Sequence, residues 1–420
     1  MRCIVISIGD ELLGGQSVNT NSSYICSEMF EAGFPVERVV TIPDDRKIIL
    51  SEFRRVWRSY DVIITTGGLG PTEDDVTRNC LSDFFNLPLI SSRKLRLHIK
   101  DIYSRRGIIP AQTALSQSFI PRGSVILDNP LGTSAGILIR KEGKIFISLP
   151  GVPAEMKHIF KHDVLPYFTK LRKKTGYFIT SKTFNTIGIT ESVLCEIISA
   201  ERKNFPSHGD ADVTIAYLPS LYEVKLRVTV KSKSKLVSRK LIDDVGRIIM
   251  SKIGSYVYSA DGESIQEVIA KILRRKRYTL SVAESCTGGL ISSAITDVPG
   301  SSKFFLGSVV AYSNDLKNSL LGVRKSTIKK YGAVSREVAE QMANGIRRAT
   351  GSDIAVATTG IAGPTGATAE KPVGLVWIAF ADRNNCYAEK FIFSKDRIKN
   401  KHMMSKAALN MIRKKLSDIL

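Results

Sequence analysis

The sequence predicts an α/β protein of three domains, in which two layered α/β domains with mostly parallel sheets flank a small α+β domain. Three observations predict it. The chain has 420 residues, more than one ordinary core accommodates. Apolar runs of strand length alternate with helix-length stretches over the first ~168 residues and again after about residue 264, the rhythm of βαβ units. Two polar breaks, "KLRKKTG" at 170–176 and "SADGES" at 259–264, separate these regions from a middle one of different pattern. The expected domains are 1–170, 177–258 and 262–420.

In the first domain "RCIVISIG" is apolar without alternation, as befits a strand covered on both faces. "NTNSSYICSEMFEAG" is helical and stops at Gly33. "FPVERVVTIPD" is a strand, followed by a helix over 46–59. "DVIITTGGLGP" runs from a strand into a glycine-rich turn, with a helix opening at "TEDDVTRNCLSDFF". "AGILIRKEGKIFISLPG" reads as a hairpin turning at Glu142-Gly143. In the middle domain "FNTIGITESVLCEIISAE" reads as a helix capped at Thr190, and "DVTIAYLPSLYEVKLRVTVKS" as a strand pair. "SRKLIDDVGRIIMSKIG" is a second helix, and Ser264 or Asp261 can cap the first helix of the third domain. There the strands are "YTLSVAESCTGG", "GSVVAYS", "DIAVATTGIAGP" and "GLVWIAFAD".

Composition is globular, 43% hydrophobic and 24% charged, with no apolar run approaching the ~18 residues of a membrane span. The start, "MRCIVISIGDELL", enters a strand and a carboxylate pair instead of a signal-peptide core, and the six cysteines are scattered without a CxxC. A cytoplasmic protein with reduced thiols is expected. The net charge of +21 suits anionic ligands, but its basic runs lack the interleaved aromatics of a nucleic-acid platform.

The stretch "SVAESCTGGLISS" places Ser285, Cys286, Thr287, Gly288 and Gly289 between a strand and a helix. Ser285 or Thr287 is a natural N-cap there. The same geometry sets a hydroxyl beside free backbone N–H groups, which can hold a phosphate or an oxyanion, and the glycines let a ligand approach. Geometry alone leaves cap and nucleophile both open. A base for Ser285 is not obvious, since the only histidine of this domain, His402, lies in no motif. Lys317, five residues after Tyr312 in "AYSNDLK", would serve if burial kept it neutral, although its spacing is that of a solvated helix lysine. Cys286 reads as a buried structural thiol. The glycine/proline loop "ATTGIAGPTGATAEKPVG", with Gly360 and Gly363, follows a buried strand and suits ligand binding.

In the first domain the amides at Gly67, Gly68 and Gly70 can cradle a phosphate. Asp74 and Asp75 are either first-turn dipole partners or magnesium ligands, and Asp10 stands at the end of the first strand beside Glu11. His158 and His162 lack the Glu of H-E-x-x-H and read as helix-surface residues.

Taken together, "GDELLGGQSVNTN", "TTGGLGPTEDDVT", "LPGVPAEM", "AESCTGG", "AYSNDLK", "YGAVSREVAE", "GIAGP" and "EKPVG" resemble the competence/damage-inducible CinA proteins, end to end and in order. The resemblance implies a molybdopterin-binding-like first domain, a KH-like middle domain and a C-terminal nicotinamide-nucleotide amidase domain. The middle domain lacks a GxxG loop, which argues against RNA clamping. The implied reaction is hydrolysis of nicotinamide mononucleotide to nicotinate mononucleotide and ammonia, without a cofactor. The resemblance makes Ser285 the nucleophile, Tyr312 and Lys317 its activating pair, and Arg397 a residue near the substrate. Thr287, Gly288, Gly289, Gly360 and Gly363 are the accompanying substrate-binding positions. It also implies an ADP-ribose pyrophosphatase activity in the first domain, assisted by a divalent metal such as magnesium at Asp74 and Asp75. Thr365, Ala367, Leu375 and Lys395 depart from the usual pattern. The expected partners are small nucleotides and a second copy of the chain in a homodimer, with no nucleic acid and no membrane. The alternative reading is a non-catalytic nucleotide- or pterin-binding protein linked to competence or the DNA damage response.

Overall fold

In a computed structural model, residues 1–172 and 177–418 are described. The segment 173–176, most of the "KLRKKTG" linker, lies outside them. The chain forms two compact units. One comprises Met1–Thr180 with Asp210–Asp212 and Lys231–Arg239; the other comprises Ser181–Gly209, Val213–Val230 and Lys240–Leu420.

The first unit is built on β1 (Cys3–Ile8), β2 (Val36–Ile42), β3 (Val62–Thr66), β4 (Leu89–Ser91), β5 (Phe119–Pro121), β6 (Val125–Leu127), β7 (Gly136–Lys141) and β8 (Lys144–Leu149). Six of these make one sheet in the order β2-β1-β3-β8-β7-β6, parallel from β2 to β8 and antiparallel beyond, while β4 and β5 form a separate ribbon. The continuous apolar run of β1 is explained by its two partners. Cys3 and Val5 pack with Ile25 and Met29 of the helix Thr20–Glu31. Ile4, Ile6 and Ile8 pack on the other face with Ile49, Phe53 and Val56 of the helix Arg46–Ser59. Each face thus needs its own set of alternating side chains, so both sets are apolar. The β7–β8 turn holds Glu142 and Gly143 at φ of 54° and 75°, the left-handed pair of a two-residue hairpin.

Two local expectations are corrected here. The helix after the glycine-rich turn begins at Thr77, so Asp74 and Asp75 lie in the preceding turn and are not first-turn residues. In the middle region "FNTI" belongs to a strand, β9 (Phe178–Ile187), and the helix occupies only Glu191–Glu201, capped by Thr190. The intervening Gly188 has φ of 76° and breaks the chain between them.

β9 pairs into a four-stranded sheet with β10 (Asp212–Ser220), β11 (Glu223–Ser232) and β12 (Val257–Ser259), in the order β10-β11-β9-β12. The last sheet contains β13 (Leu280–Glu284), β14 (Phe305–Val310), β15 (Ile354–Gly360), β16 (Leu375–Ala381) and β17 (Cys386–Ile392), in the order β14-β13-β15-β16-β17. Its first three strands are parallel and the last two antiparallel. One face carries the large residues Leu280, Val282, Val356 and Phe380 against the helices Ile265–Lys276 and Arg397–Asp418. The other face is nearly all alanine, with Ala283, Ala355, Ala357, Ala379 and Ala381 under the helix Arg336–Thr350. Small residues on that face let the helix approach closely. Ser264 caps the first helix of this region in a full capping box with Glu267.

The second unit joins most of the middle region to the C-terminal one. Arg413 of the last helix donates to the carbonyls of Ser255 and Val257, at 3.0 and 3.4 Å. Lys406 donates to Glu223, and the rings of Tyr222 and Phe393 meet edge to face at 5.4 Å. These contacts explain why three sequence regions yield two compact units. No helix among the described residues is long and apolar enough to cross a membrane.

Candidate active site

Strand β13 ends at Glu284, and the turn Ser285–Gly289 leads into the helix Leu290–Thr296. Gly288 and Gly289 take φ of 62° and 95°, which reverses the chain within two residues. The expected cap at Ser285 or Thr287 is not the one formed. Neither side chain caps this helix; the buried carboxylate of Glu284 receives its amides instead, from Gly289 at 2.9 Å, Ile291 at 3.3 Å and Ser292 at 2.9 Å. The Thr287 hydroxyl is fully buried against that of Thr358, 2.9 Å away, so its side chain does not face a ligand.

Ser285 instead meets Lys317. The lysine sits one turn into the helix Asn314–Leu321, which Ser313 caps, and is 2% exposed. Its Nζ lies 3.1 Å from Ser285 Oγ, 2.9 Å from the Ala311 carbonyl and 3.1 Å from the Tyr312 carbonyl. Burial lowers the Lys317 pKa, with a smaller opposing effect from Cys286. The spacing that reads as a solvated lysine gives a buried one because helix 314–321 turns that face toward the end of β13.

Tyr312 reaches Lys317 through its backbone and not its phenol. Its ring is 60% exposed, and its hydroxyl accepts from Arg397 at 3.0 Å. Arg397 also donates to the Gly363 carbonyl at 2.6 Å, drawing the glycine/proline loop to the same place. Ser285, Cys286, Tyr312, Lys317, Gly360, Gly363 and Arg397 all line one cleft of about 280 Å³, close to the lower size of small-molecule sites. Thr365 lines it too, so one departure from the family pattern faces the cleft. The Cys286 thiol is pushed up to about 12 by burial, which leaves it protonated and unreactive.

Two residues of this site carry no obvious sequence signal. Glu284 is one. Asn400 is the other: fully buried, it donates to the carbonyls of Ala362 and Ser394 and accepts from the Ser394 amide, each at 2.9 Å. It therefore ties the loop bearing Gly363 to the segment bearing Arg397. An amide in a helix of mixed polarity looks like a surface residue until the loop folds over it.

In the first unit a cleft of about 310 Å³ lies at the carboxyl ends of the parallel strands, lined by Glu11, Asn19, Asn21, Thr66 and Gly151 among others. Asn21 is buried, and its Oδ1 has no partner. Asp10 is exposed, and its N–H donates to Asp44 at 3.1 Å. Burial, with added like charge from Asp10, Glu11 and Asp74, raises the Asp44 carboxyl above its usual range. Gly67 and Gly68 are required by φ of 112° and 68°, and Thr77 donates its N–H to the Gly68 carbonyl. Asp75 accepts from both the amide and the hydroxyl of Thr72, at 3.0 and 2.5 Å, and sits against Gly70. Among the described residues no group of three or more His, Cys, Asp or Glu side chains is placed to hold a metal ion. Asp74 and Asp75 are neighbours in this turn, two carboxylates of the kind that hold magnesium together with substrate phosphates and water. His158 and His162 lie with ring centroids 4.4 Å apart on the segment after Pro153.

Fold and site define a multi-domain α/β protein with a serine and a buried lysine paired at a strand-to-helix turn. Three family models match: the molybdopterin binding domain over 4–170, the damage-inducible protein CinA KH domain over 181–259 and the CinA C-terminal domain over 262–416. A competence-damage inducible protein of Halothermothrix orenii is 40% identical over 405 residues, 96% of each chain. A CinA-like protein of Kosmotoga olearia is 38% identical over 420 residues, the whole of both chains. A solved structure of competence/damage inducible protein CihA from Agrobacterium tumefaciens is 40% identical, covers 37% of this chain and 96% of its own, and has a TM-score of 0.35. The chain belongs to the CinA family.

Proposed function

We propose that the C-terminal domain is an amidohydrolase that converts nicotinamide mononucleotide to nicotinate mononucleotide and ammonia, with Ser285 as nucleophile and Lys317 as base. The observation that carries this reading is the environment of Lys317 Nζ. A neutral amine has two N–H donors and one lone pair. The Ala311 and Tyr312 carbonyls can only accept, so they take both N–H groups, and the lone pair is left facing Ser285 Oγ–H. Burial favours that neutral state.

As Ser285 Oγ attacks the carboxamide carbon, its proton passes to Lys317 Nζ. The tetrahedral intermediate collapses with the C–N bond breaking, and the Lys317 ammonium returns the proton to the departing nitrogen, which leaves as ammonia. Water, deprotonated in turn by Lys317, then attacks the acyl-serine ester; the C–Oγ bond breaks, the Lys317 ammonium returns the proton to Ser285 Oγ, and the carboxylate is released. Arg397 and the Tyr312 ring, both in the cleft, are suited to an anionic substrate with a planar ring. The six free cysteines suit a reducing cytoplasm. The proposal rests on the C-terminal cleft, where the serine and the lysine meet. Ammonia release from nicotinamide mononucleotide, compared between the wild-type chain and Ser285→Ala, tests it; equal release by both sinks it.

A further inference from the structure

Glu284 is fully buried beside the candidate nucleophile, yet the proposed chemistry does not use it. Its two carboxylate oxygens accept four hydrogen bonds: Oε2 from the Gly289 and Ile291 amides, at 2.9 and 3.3 Å, and Oε1 from the Ser292 amide and hydroxyl, at 2.9 and 2.6 Å. The amides are the unpaired donors of a helix N-terminus, where a carboxylate is favoured by the macrodipole and by charge-assisted bonding. A cap normally sits in the turn just before the helix. Here it comes from the strand, so its bonds span the whole turn from 284 to 289.

The span has two consequences. It leaves the Ser285 hydroxyl free of capping, since the amides that would attract it are taken. It also withdraws the amides of Gly289, Ile291 and Ser292 from any ligand, so a substrate anion must be met elsewhere in the cleft, where Arg397 stands. From this we infer that Glu284 is a positioning residue: its carboxylate locks the turn that holds Ser285 Oγ at 3.1 Å from Lys317 Nζ. The inference rests on the reading of Ser285 as nucleophile.

The test reads covalent labelling of Ser285 by a serine-directed fluorophosphonate, and amide hydrolysis as a function of pH, in the full-length chain. Glu284→Gln keeps the size, but one of its two acceptors becomes an NH2 group facing the donors of the turn. Labelling rate and kcat should both fall about tenfold or more, because small misplacements of a nucleophile are costly. KM should stay within about twofold, and the midpoint of the acid limb should not move, since Lys317 keeps its surroundings. Ser292→Ala, which removes one donor of the four, should lose less. Wild-type labelling and turnover in Glu284→Gln would overturn the inference, and so would a displaced acid limb, which would make Glu284 an electrostatic partner of Lys317. If Glu284→Gln does not fold, Ser292→Ala decides: an unchanged labelling rate there overturns the inference, and a reduced one with an unmoved acid limb upholds it. Failure of the wild-type chain to label at Ser285 is a different result, and removes the nucleophile reading itself.

Discussion

Lys317 Nζ and Ser285 Oγ stand 3.1 Å apart in a setting where two backbone carbonyls take the other hydrogen bonds of the amine. The two residues are 32 positions apart in sequence and come from a helix and a strand-to-helix turn. What joins them is the parallel pairing of β13 with β14, which brings Glu284 opposite Val310 just before each chain segment leaves the sheet.

Ser285→Ala should abolish amide hydrolysis, a loss of about three orders of magnitude or more, as expected for a nucleophile. Its stability should hardly change. Losing a true cap costs about 1 kcal/mol, but the cap of this helix belongs to Glu284. Ammonia release and thermal unfolding on the same preparations check both parts. A variant that melts earlier yet turns over normally would return Ser285 to a structural role.

Cys286→Ala should retain at least about half of the wild-type rate, since loss of a small buried side chain costs packing rather than chemistry. The thiol lies next to Ser285 but is buried, and burial pushes it up to about 12, so at neutral pH it is not ionised. Iodoacetamide at neutral pH should therefore spare it. Rapid alkylation of Cys286 with parallel loss of activity would make it the nucleophile.

Part of this site is legible in the sequence, and the reasons differ by residue. The turn Ser285–Gly289 is readable because a strand end followed by two glycines has a local signature, although Gly288 and Gly289 shape the turn and do not line the cleft. Lys317 could not be assigned from spacing, because burial is set by how helix 314–321 docks and not by its own pattern. Only the family resemblance points to it. Local rules offer Ser285 or Thr287 as the cap because they favour hydroxyls at such turns, whereas a carboxylate reaching from the preceding strand is a tertiary arrangement. The resemblance pairs Tyr312 with Lys317 without saying which atom acts; its carbonyl is what reaches the lysine, a group every residue carries and no motif displays. In the fold, β9 is hard to read from sequence because "TSKTFNTI" has little apolar alternation, its outer half being only half-buried. Turn residues such as Glu142-Gly143 are readable from local chemistry alone.

Arg397→Ala should raise KM about tenfold or more with a smaller change in kcat, as expected on losing a charged group that binds ground state and transition state alike. Its guanidinium bridges the Tyr312 hydroxyl and the Gly363 carbonyl, so Arg397→Lys, with a single point charge, should recover only part of the loss. Asn400→Ala should reproduce the KM effect indirectly by releasing the Ala362 and Ser394 carbonyls. Steady-state kinetics with nicotinamide mononucleotide checks this series. A pure kcat loss in Arg397→Ala would place the arginine in the chemical step.

Lys317 should set the pH dependence of both rate and stability. Only the neutral amine can accept the serine proton, so turnover should rise with pH through a pKa that burial has lowered from the free-lysine value. Lys317→Arg cannot be neutralised and should be nearly inactive at every pH, and Lys317→Met should be as inactive for want of a base. The stability effect has a definite sign. Between the lowered pKa of the folded chain and the free value of about 10.4, the unfolded chain holds a proton that the folded chain has released, so stability rises with pH across that window. Below the lowered pKa the penalty for the buried charge is constant. Lys317→Met removes the titration, so its stability relative to wild type should be greatest at low pH and should decline through the window. Urea midpoints measured alongside kcat/KM from neutral to alkaline pH test both effects. A Met-to-wild-type difference that does not vary with pH would mean that the lysine is not depressed, and an active Lys317→Arg would mean that the base lies elsewhere in the cleft.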